Sequence, residues 1–386
     1  MNALQDSERA LRDATPPALL DALRPVLARC HDALDAQLLM ADYGLGHLQA
    51  MTVPPHGVPP LPVDGSGAGR AFGSQEPYAE RRDGGSVLHL PVTARGDRLG
   101  VLSVTFAAPP DAAATAELLE IAGLLAHEVV VAERDTDLYV QARRLDRLTL
   151  AAEMQWQLLP ARSCARPEFA LGAQLEPAYD TFGDNFDWSA SPDALTLSIT
   201  NGMGDGINAA LLTSLGVGAL RNARRAGLPL ADQAALADQA VYGQHHGTWH
   251  LSCLLLRFEL ATGLVEIIDA GSPRAFVLRD GTVRPLTFEA QLPLGMFDGT
   301  HYEPESIRVL PGDRLLFVSD GVHAVTNAGG EAYGDRALAR AVLATRLLPA
   351  ADVPRAVLRE LTTHRGSSQG DDDALVVCLD WFGAPA

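Results

Sequence analysis

The sequence predicts an α+β protein of two domains joined by a long helix, on three observations. Strand-like runs recur in both halves with tight-turn signals between them, as at 261 to 263 (Ala-Thr-Gly) and 279 to 281 (Arg-Asp-Gly). Helical stretches come in a few blocks instead of alternating with single strands, which favours layered antiparallel sheets over a parallel α/β fold. The stretch from 112 to 159 is nearly free of Gly and Pro after Gly123, as a long helix requires.

At 386 residues the chain exceeds one ordinary domain. Apolar residues at 47% and charged residues at 20% allow two cores of normal size. A net charge of −18 argues against nucleic acid as a partner, because phosphate-backbone binding needs clustered Lys and Arg. Cys30, Cys164, Cys253 and Cys378 lack disulfide or zinc spacing and read as packing residues in a reducing compartment. No stretch has the length of a signal peptide core or of a membrane span, so the expected location is cytoplasmic, with no membrane partner.

Residues 16 to 36 carry Leu19, Leu20, Leu23, Val26, Leu27 and Cys30 at helical spacing around Pro25. Strands follow at 37 to 42 and 47 to 53, then a short helix at 66 to 72 that lines a pocket. A hairpin comes next, with 87 to 94 and 98 to 107 flanking Arg95, Gly96 and Asp97. Beyond it Leu118, Ile121, Leu125, Val129, Leu138, Leu145, Leu148 and Ala152 mark an apolar stripe. One continuous helix there would be about 70 Å long, too long for a small domain, and would pair with its copy in a homodimer. The plainer alternative is two shorter helices with a break near Asp135. After Pro160 strands are expected at 169 to 178, 195 to 200, 250 to 260, 264 to 271, 275 to 281, 313 to 321 and 374 to 380. Helices are expected at 207 to 226, 230 to 243 and 335 to 364.

Oxygen-bearing side chains stand at the ends of separate strands in this half: Asp184 and Asp187, Asn201, Asp320, and Asp371 to Asp373. Hard divalent cations take such carboxylate, amide and carbonyl oxygens. Asn201 opens a loop with Gly202, Gly204 and Gly206 ahead of an Ala/Leu-rich helix, a form that brings backbone close to a ligand. An Asp–Gly pair at a strand end, as at Asp320–Gly321, is by itself most often a turn. Arg221, Arg224 and Arg225 read most simply as a solvated helix face, with a meeting with an acidic partner or a phosphate as the alternative.

Two resemblances follow from these residues. The order of elements over 15 to 133, and the segment LHLPVTARGDRLGVLSVTF, resemble a GAF domain, which implies a sensor for a small ligand; a packing domain without ligand is the alternative. The segments AAEMQWQLLPA, LEPAYDTFGDNFDW, the glycine loop, FELATGLVEIIDAGSP, LPGDRLLFVSDGV and DDDALVV resemble the sporulation-phosphatase (SpoIIE-like) branch of the PPM serine/threonine protein phosphatases. The implied organisation is a GAF-like domain at 15 to 133, a linking helix at 134 to 160 and a PPM-type α-β-β-α sandwich at 161 to 382. The family would hold two Mn²⁺ or Mg²⁺ ions on Asp184, position 201, the Gly202 carbonyl, Asp320 and Asp371 or Asp372. It would dephosphorylate a phosphoserine or phosphothreonine partner, by analogy an anti-sigma-factor antagonist of the STAS fold.

The departures from the family cluster at this chemistry. Asn201 stands where the family has the Asp that bridges both metals, and its missing negative charge is expected to weaken at least one of the two metal sites severely. Phe182, Asp205, Ser272, Ser319 and Ala324 also differ from the family pattern. Asp205 is a candidate substitute charge, Asp187 a structural support that holds the loop through backbone amides, and Gly321 part of the support. An active phosphatase and a pseudophosphatase that binds the same partner without turnover both stand. The sequence has no G-x-S-x-G, no complete G-x-G-x-x-G and no H-E-x-x-H, so serine hydrolase, dinucleotide and zinc readings are set aside.

Overall fold

A computed structural model describes residues 2–52, 58–82, 84–176, 183–271, 273–334, 336–366 and 372–384, which fall into two compact units, Met1–Arg147 and Leu148–Ala386. Asp371, Phe182 and Ser272 lie outside the described residues.

The first unit runs α1 (Ala3–Asp13), α2 (Leu19–His31), β1 (Ala33–Ala41), β2 (His47–Ala50), β3 (Leu61–Pro62), α3 (Gly67–Ser74), β4 (Tyr78–Arg82), β5 (Gly85–Ala94), β6 (Asp97–Phe106), α4 (Ala112–Ala132) and α5 (Leu138–Ala142). Its strands form one sheet in the order β3-β2-β1-β6-β5-β4. The expected hairpin is β5–β6, closed by Arg95 and Gly96 at φ 53° and 94°. Two central residues with positive φ make the turn whose twist matches paired strands. Leu23, Leu27, Leu90, Leu102, Ile121 and Leu125 fill the core between the sheet and the long helices. On the other face α3, capped by Ser66 Oγ on the Gly69 amide at 3.0 Å, packs Ala68 and Phe72 against Leu39, Leu48 and Val101.

The expected continuous helix over 112 to 159 is a correction. α4 ends at Ala132, and the chain turns at Thr136, whose Oγ1 accepts from the Leu138 amide at 3.3 Å. Side chains that bond nearby backbone compete with helix continuation. α5 then folds back, burying Tyr139 and Ala142 in the core of the first unit, with the Tyr139 hydroxyl on the Pro16 carbonyl at 2.7 Å. The length that predicted pairing with a second copy is therefore not present.

His89 is buried on β5, its Nδ1 2.8 Å from Ser103 Oγ and its Nε2 3.3 Å from Glu80 Oε2. Burial lowers the His89 pKa below its ordinary value, against the opposing pull of Glu80. The folded chain thus keeps His89 neutral where the unfolded chain takes up a proton, below about pH 6.5. Stability from this group is complete above that value and is lost as pH falls from it toward the folded pKa. Urea unfolding at pH 7.5 and 5.0 should show a smaller loss in His89→Gln than in the natural protein; equal losses would remove His89 as the cause.

The second unit runs α6 (Leu150–Leu158), β7 (Ser163–Ala165), β8 (Phe169–Glu176), β9 (Asp184–Ala190), β10 (Ala194–Gly202), α7 (Gly206–Arg225), α8 (Leu230–His245), β11 (Leu251–Glu259) and β12 (Leu264–Ala270). It continues with β13 (Arg274–Arg279), β14 (Thr282–Leu286), β15 (Glu305–Arg308), β16 (Arg314–Val318), α9 (Asp320–His323), α10 (Ala337–Ala344), α11 (Val353–Arg365) and β17 (Ala374–Trp381). Two antiparallel sheets, β15-β12-β11-β10-β9 and β14-β13-β16-β17-β8-β7, stack face to face. Phe186, Leu197, Ile199, Leu256, Phe317 and Val377 fill the space between them. α7 and α8 cover the first sheet, and α10 and α11 cover the second. The result is the four-layer α-β-β-α sandwich expected of a PPM-type domain. The single helix expected over 335 to 364 is two, divided near Pro349, which cannot continue a helix begun before it.

Candidate metal centre

One end of the sandwich gathers the acidic residues. β9 begins at Asp184 and β10 ends at Asn201–Gly202, and antiparallel register sets Asp184 directly opposite Asn201. Side chains of directly paired residues lie on one face, here the face that also carries Phe186 and Ile199 toward the second sheet. From that second sheet come Asp320, at the start of α9 after β16, and Asp372 and Asp373, just before β17.

Asp184 is 1% exposed, and neither of its carboxylate oxygens has a hydrogen-bond partner. Its pKa is raised well above the ordinary carboxylate value by burial first, and then by the charge of Asp373; the Ser319 hydroxyl opposes this in part, and Asp320 and Asp372 add smaller contributions. Asp372 is raised too, by burial and by Asp320. A buried carboxylate without a donor is costly unless a cation compensates it.

The backbone around Asp184 is held on every side. Asp373 Oδ2 accepts from the Gly183 and Asp184 amides at 3.0 and 3.2 Å. Thr213 of α7 donates to the Gly183 carbonyl at 2.9 Å, the Gly202 amide donates to it at 3.0 Å, and Gln155 of α6 donates to the Asp184 carbonyl. Gly183 has φ 118°, and a Cβ there would stand 2.2 Å from the Gly202 carbonyl oxygen, so only glycine fits. Gly321 is required for a similar reason, since a Cβ would meet the Asp373 carbonyl oxygen at 1.8 Å. Its support is therefore steric, letting α9 lie against the start of β17.

Asn201 is half-buried, and its Nδ2 donates to Asp320 Oδ1 at 2.8 Å. Among the described residues no group of three or more His, Cys, Asp or Glu side chains is disposed to hold a metal ion. Asn201 occupies the place between Asp184 and Asp320 that a third carboxylate would need. What fits a hard cation is Asp184 itself, whose two buried oxygens are unsatisfied and on which the charges of Asp320 and Asp372 act.

Three site expectations change. Asp205 is exposed at the start of α7, its side chain makes no capping bond, and it is absent from the charges acting on Asp184. Asp187 is structural, but its partners are not backbone amides: it is buried mid-strand and accepts from Arg221 at 2.7 Å and Arg224 at 2.8 Å. Arg221 and Arg224 are accordingly no solvated face. Their spacing of three puts both on the side of α7 turned to β9, and Arg221 also donates to the Leu158 carbonyl of α6. Asp373, left out of the expected ligand set, is the clamp on the Asp184 backbone, and the run Asp371 to Asp373 was its only signal. Asp238 also escaped the sequence: buried on α8, it accepts from the Gly295 amide at 2.7 Å and the Tyr302 hydroxyl at 3.1 Å.

The cysteines offer no nucleophile. Cys164, Cys253 and Cys378 are buried, Cys30 is partly so, none of the four is in a disulfide, and burial pushes the Cys253 and Cys378 thiols upward. Among the described residues no helix is long and apolar enough to cross a membrane.

This sandwich, with acidic residues converging at one end, has the fold of PP2C-type protein phosphatases. The SiaA-PP2C domain of Pseudomonas aeruginosa superposes with a TM-score of 0.51 at 19% identity, covering 60% of this chain and 93% of that one. The RsbU and RsbW domains of Rv1364c from Mycobacterium tuberculosis superpose with a TM-score of 0.50 at 23% identity, covering 57% of this chain and 62% of that one. The chain thus spans less than two thirds of the latter. The serine/threonine protein phosphatase PstP, solved with 2 manganese ions, is similar at 16% identity and a TM-score of 0.41, over 55% of this chain and 98% of that one. No curated protein sequence matches the chain. Residues 191–382, just under half of the chain, match the family described as Stage II sporulation protein E (SpoIIE). The match begins after Asp184, so α6 and the first acidic residue lie ahead of it.

Proposed function

We propose that the second unit is a divalent-cation-dependent serine/threonine protein phosphatase acting in partner-switching signalling. Its substrate is a phosphorylated protein of the STAS-type anti-sigma-factor-antagonist class. The observation that carries this reading is the unpartnered, buried carboxylate of Asp184 at the acidic end of a SpoIIE-family sandwich. Asp184, the Asn201 amide oxygen, the Gly202 carbonyl, Asp320, Asp372 and Asp371 are the residues that would hold Mn²⁺ or Mg²⁺. Such a cation supplies a hydrolytic water of lowered pKa and neutralises charge on the phosphoryl group. The chain's own part is positional: Asp373, Thr213 and Gln155 fix the Asp184 backbone, so its carboxylate is aimed before any ligand arrives. The first unit serves as a GAF-like small-ligand sensor, a role supported by the order of its elements around the β5–β6 hairpin.

The hydrogen bond from Asn201 to Asp320 favours a second reading, a pseudophosphatase that keeps the partner surface without turnover. Hydrolysis of p-nitrophenyl phosphate with Mn²⁺ separates the two. Slow Mn²⁺-dependent turnover that rises at least about tenfold in Asn201→Asp is the expected result. Absence of turnover in both proteins would leave the pseudophosphatase.

A further inference from the structure

The geometry points to a centre for one divalent cation, not two, seated at Asp184, with the Asn201 amide holding the second position through its bond to Asp320. The inference rests on the reading of the second unit as a cation-dependent domain. It follows from counting the oxygens left over once the hydrogen bonds are drawn.

Asp184 keeps both oxygens free of any donor. Asp373 has spent Oδ2 on the Gly183 and Asp184 amides. Asp372 Oδ1 accepts from the Asp373 amide at 2.9 Å. Asp320 Oδ1 accepts from Asn201. One six-coordinate hard cation can be satisfied by the Asp184 carboxylate, the remaining oxygens and water. Asp320 and Asp372 each keep only one oxygen outside these bonds, so neither offers a second cation the pair of unpartnered buried oxygens that Asp184 has.

The Asn201 amide also opposes a second cation directly. Its NH₂ group has no lone pair to give and carries partial positive charge, and it already faces Asp320. Turning the amide over would set its carbonyl oxygen against the Asp320 carboxylate, an arrangement of like partial charge. A dication near Asp320 must therefore break a charge-assisted bond and meet amide hydrogens. The Asn201–Asp320 bond also ties β10 of one sheet to α9 beside the other, a link that in a two-cation site would fall to metal.

Equilibrium dialysis of the full chain against Mn²⁺, with bound ion counted by electron paramagnetic resonance, tests this. One tightly bound Mn²⁺ per chain is expected in the natural protein and none in Asp184→Asn. Asn201→Asp should bind two, with the second held at least about tenfold more tightly than any second ion of the natural protein. Two tight ions in the natural protein, or none, would overturn the inference, as would Mn²⁺ retained unchanged by Asp184→Asn. Should Asn201→Asp fail to fold, the counts for the natural protein and Asp184→Asn decide alone. One bound ion without phosphate-ester hydrolysis would sink the phosphatase reading and leave the single-cation centre standing.

Discussion

Asp187→Ala is expected to lower the unfolding free energy of the second unit by about 3 kcal/mol. The carboxylate is buried on β9 and receives charge-assisted bonds from two guanidiniums, Arg221 at 2.7 Å and Arg224 at 2.8 Å. Removing it leaves two like charges side by side with no counter-ion. Their side chains are 22% and 18% exposed, so water reaches them and the cost falls at the low end for a broken buried pair. Asp187→Asn keeps acceptors in place and should cost roughly half as much. Urea denaturation of the three proteins checks the order, and a loss below about 1 kcal/mol in the alanine variant would mean a pair screened like a surface one. Because Asp184 lies on the same strand, stabilisation by Mn²⁺ should shrink in Asp187→Ala as well.

Asp184→Asn is expected to act in the opposite direction. In the cation-free protein its carboxylate is buried with both oxygens unpartnered, beside Asp373 and near Asp320 and Asp372. Neutralising it removes a desolvated charge and three repulsions, which should raise stability by about 1–3 kcal/mol. A thermal melt without added metal should therefore shift upward in the variant. Mn²⁺ should raise the melting temperature of the natural protein and leave that of the variant unmoved. A variant that melts below the natural protein without metal would show that Asp184 is compensated within the fold. This pattern, a residue whose removal stabilises, marks a side chain kept for a ligand and not for packing.

Much of the second unit was legible because its signals are local. The strand, glycine loop and helix from Leu195 to Arg225 follow from a buried β run, three closely spaced glycines and an apolar stripe through Ala209, Leu212, Gly216, Val217 and Leu220. The acidic residues that share one end of the sandwich were legible as strand-end oxygens, since Asp184, Asn201, Asp320 and Asp372 each stand at or next to the end of a strand. What escaped depends on contacts distant in sequence. The clamp from Asp373 to Gly183 joins opposite ends of the domain, and nothing in Asp-Asp-Asp says which member turns inward. Arg221 and Arg224 read as solvent-facing until β9 supplies the buried partner. Short edge strands such as β7 and β14 are recruited by neighbours and carry little pattern of their own. The long helix failed for a further reason: its apolar stripe is real, but Tyr139 and Ala142 spend theirs on the first unit's core once the chain turns at Thr136.

β17 lies in the middle of its sheet, between β8 and β16, and of all the strands it is the last in chain order. A ribosome delivers about 5–20 residues per second from the N-terminal side, so β8 and β16 emerge with a gap between them and two unpaired edges. Asp372 and Asp373 arrive with the strand that fills this gap. The same late event closes the sheet and brings Asp373 to the Gly183 and Asp184 amides, so the acidic end takes shape only when the whole sandwich has emerged. A chain released before β17 emerges would keep both of those edges open and would be a client for chaperones.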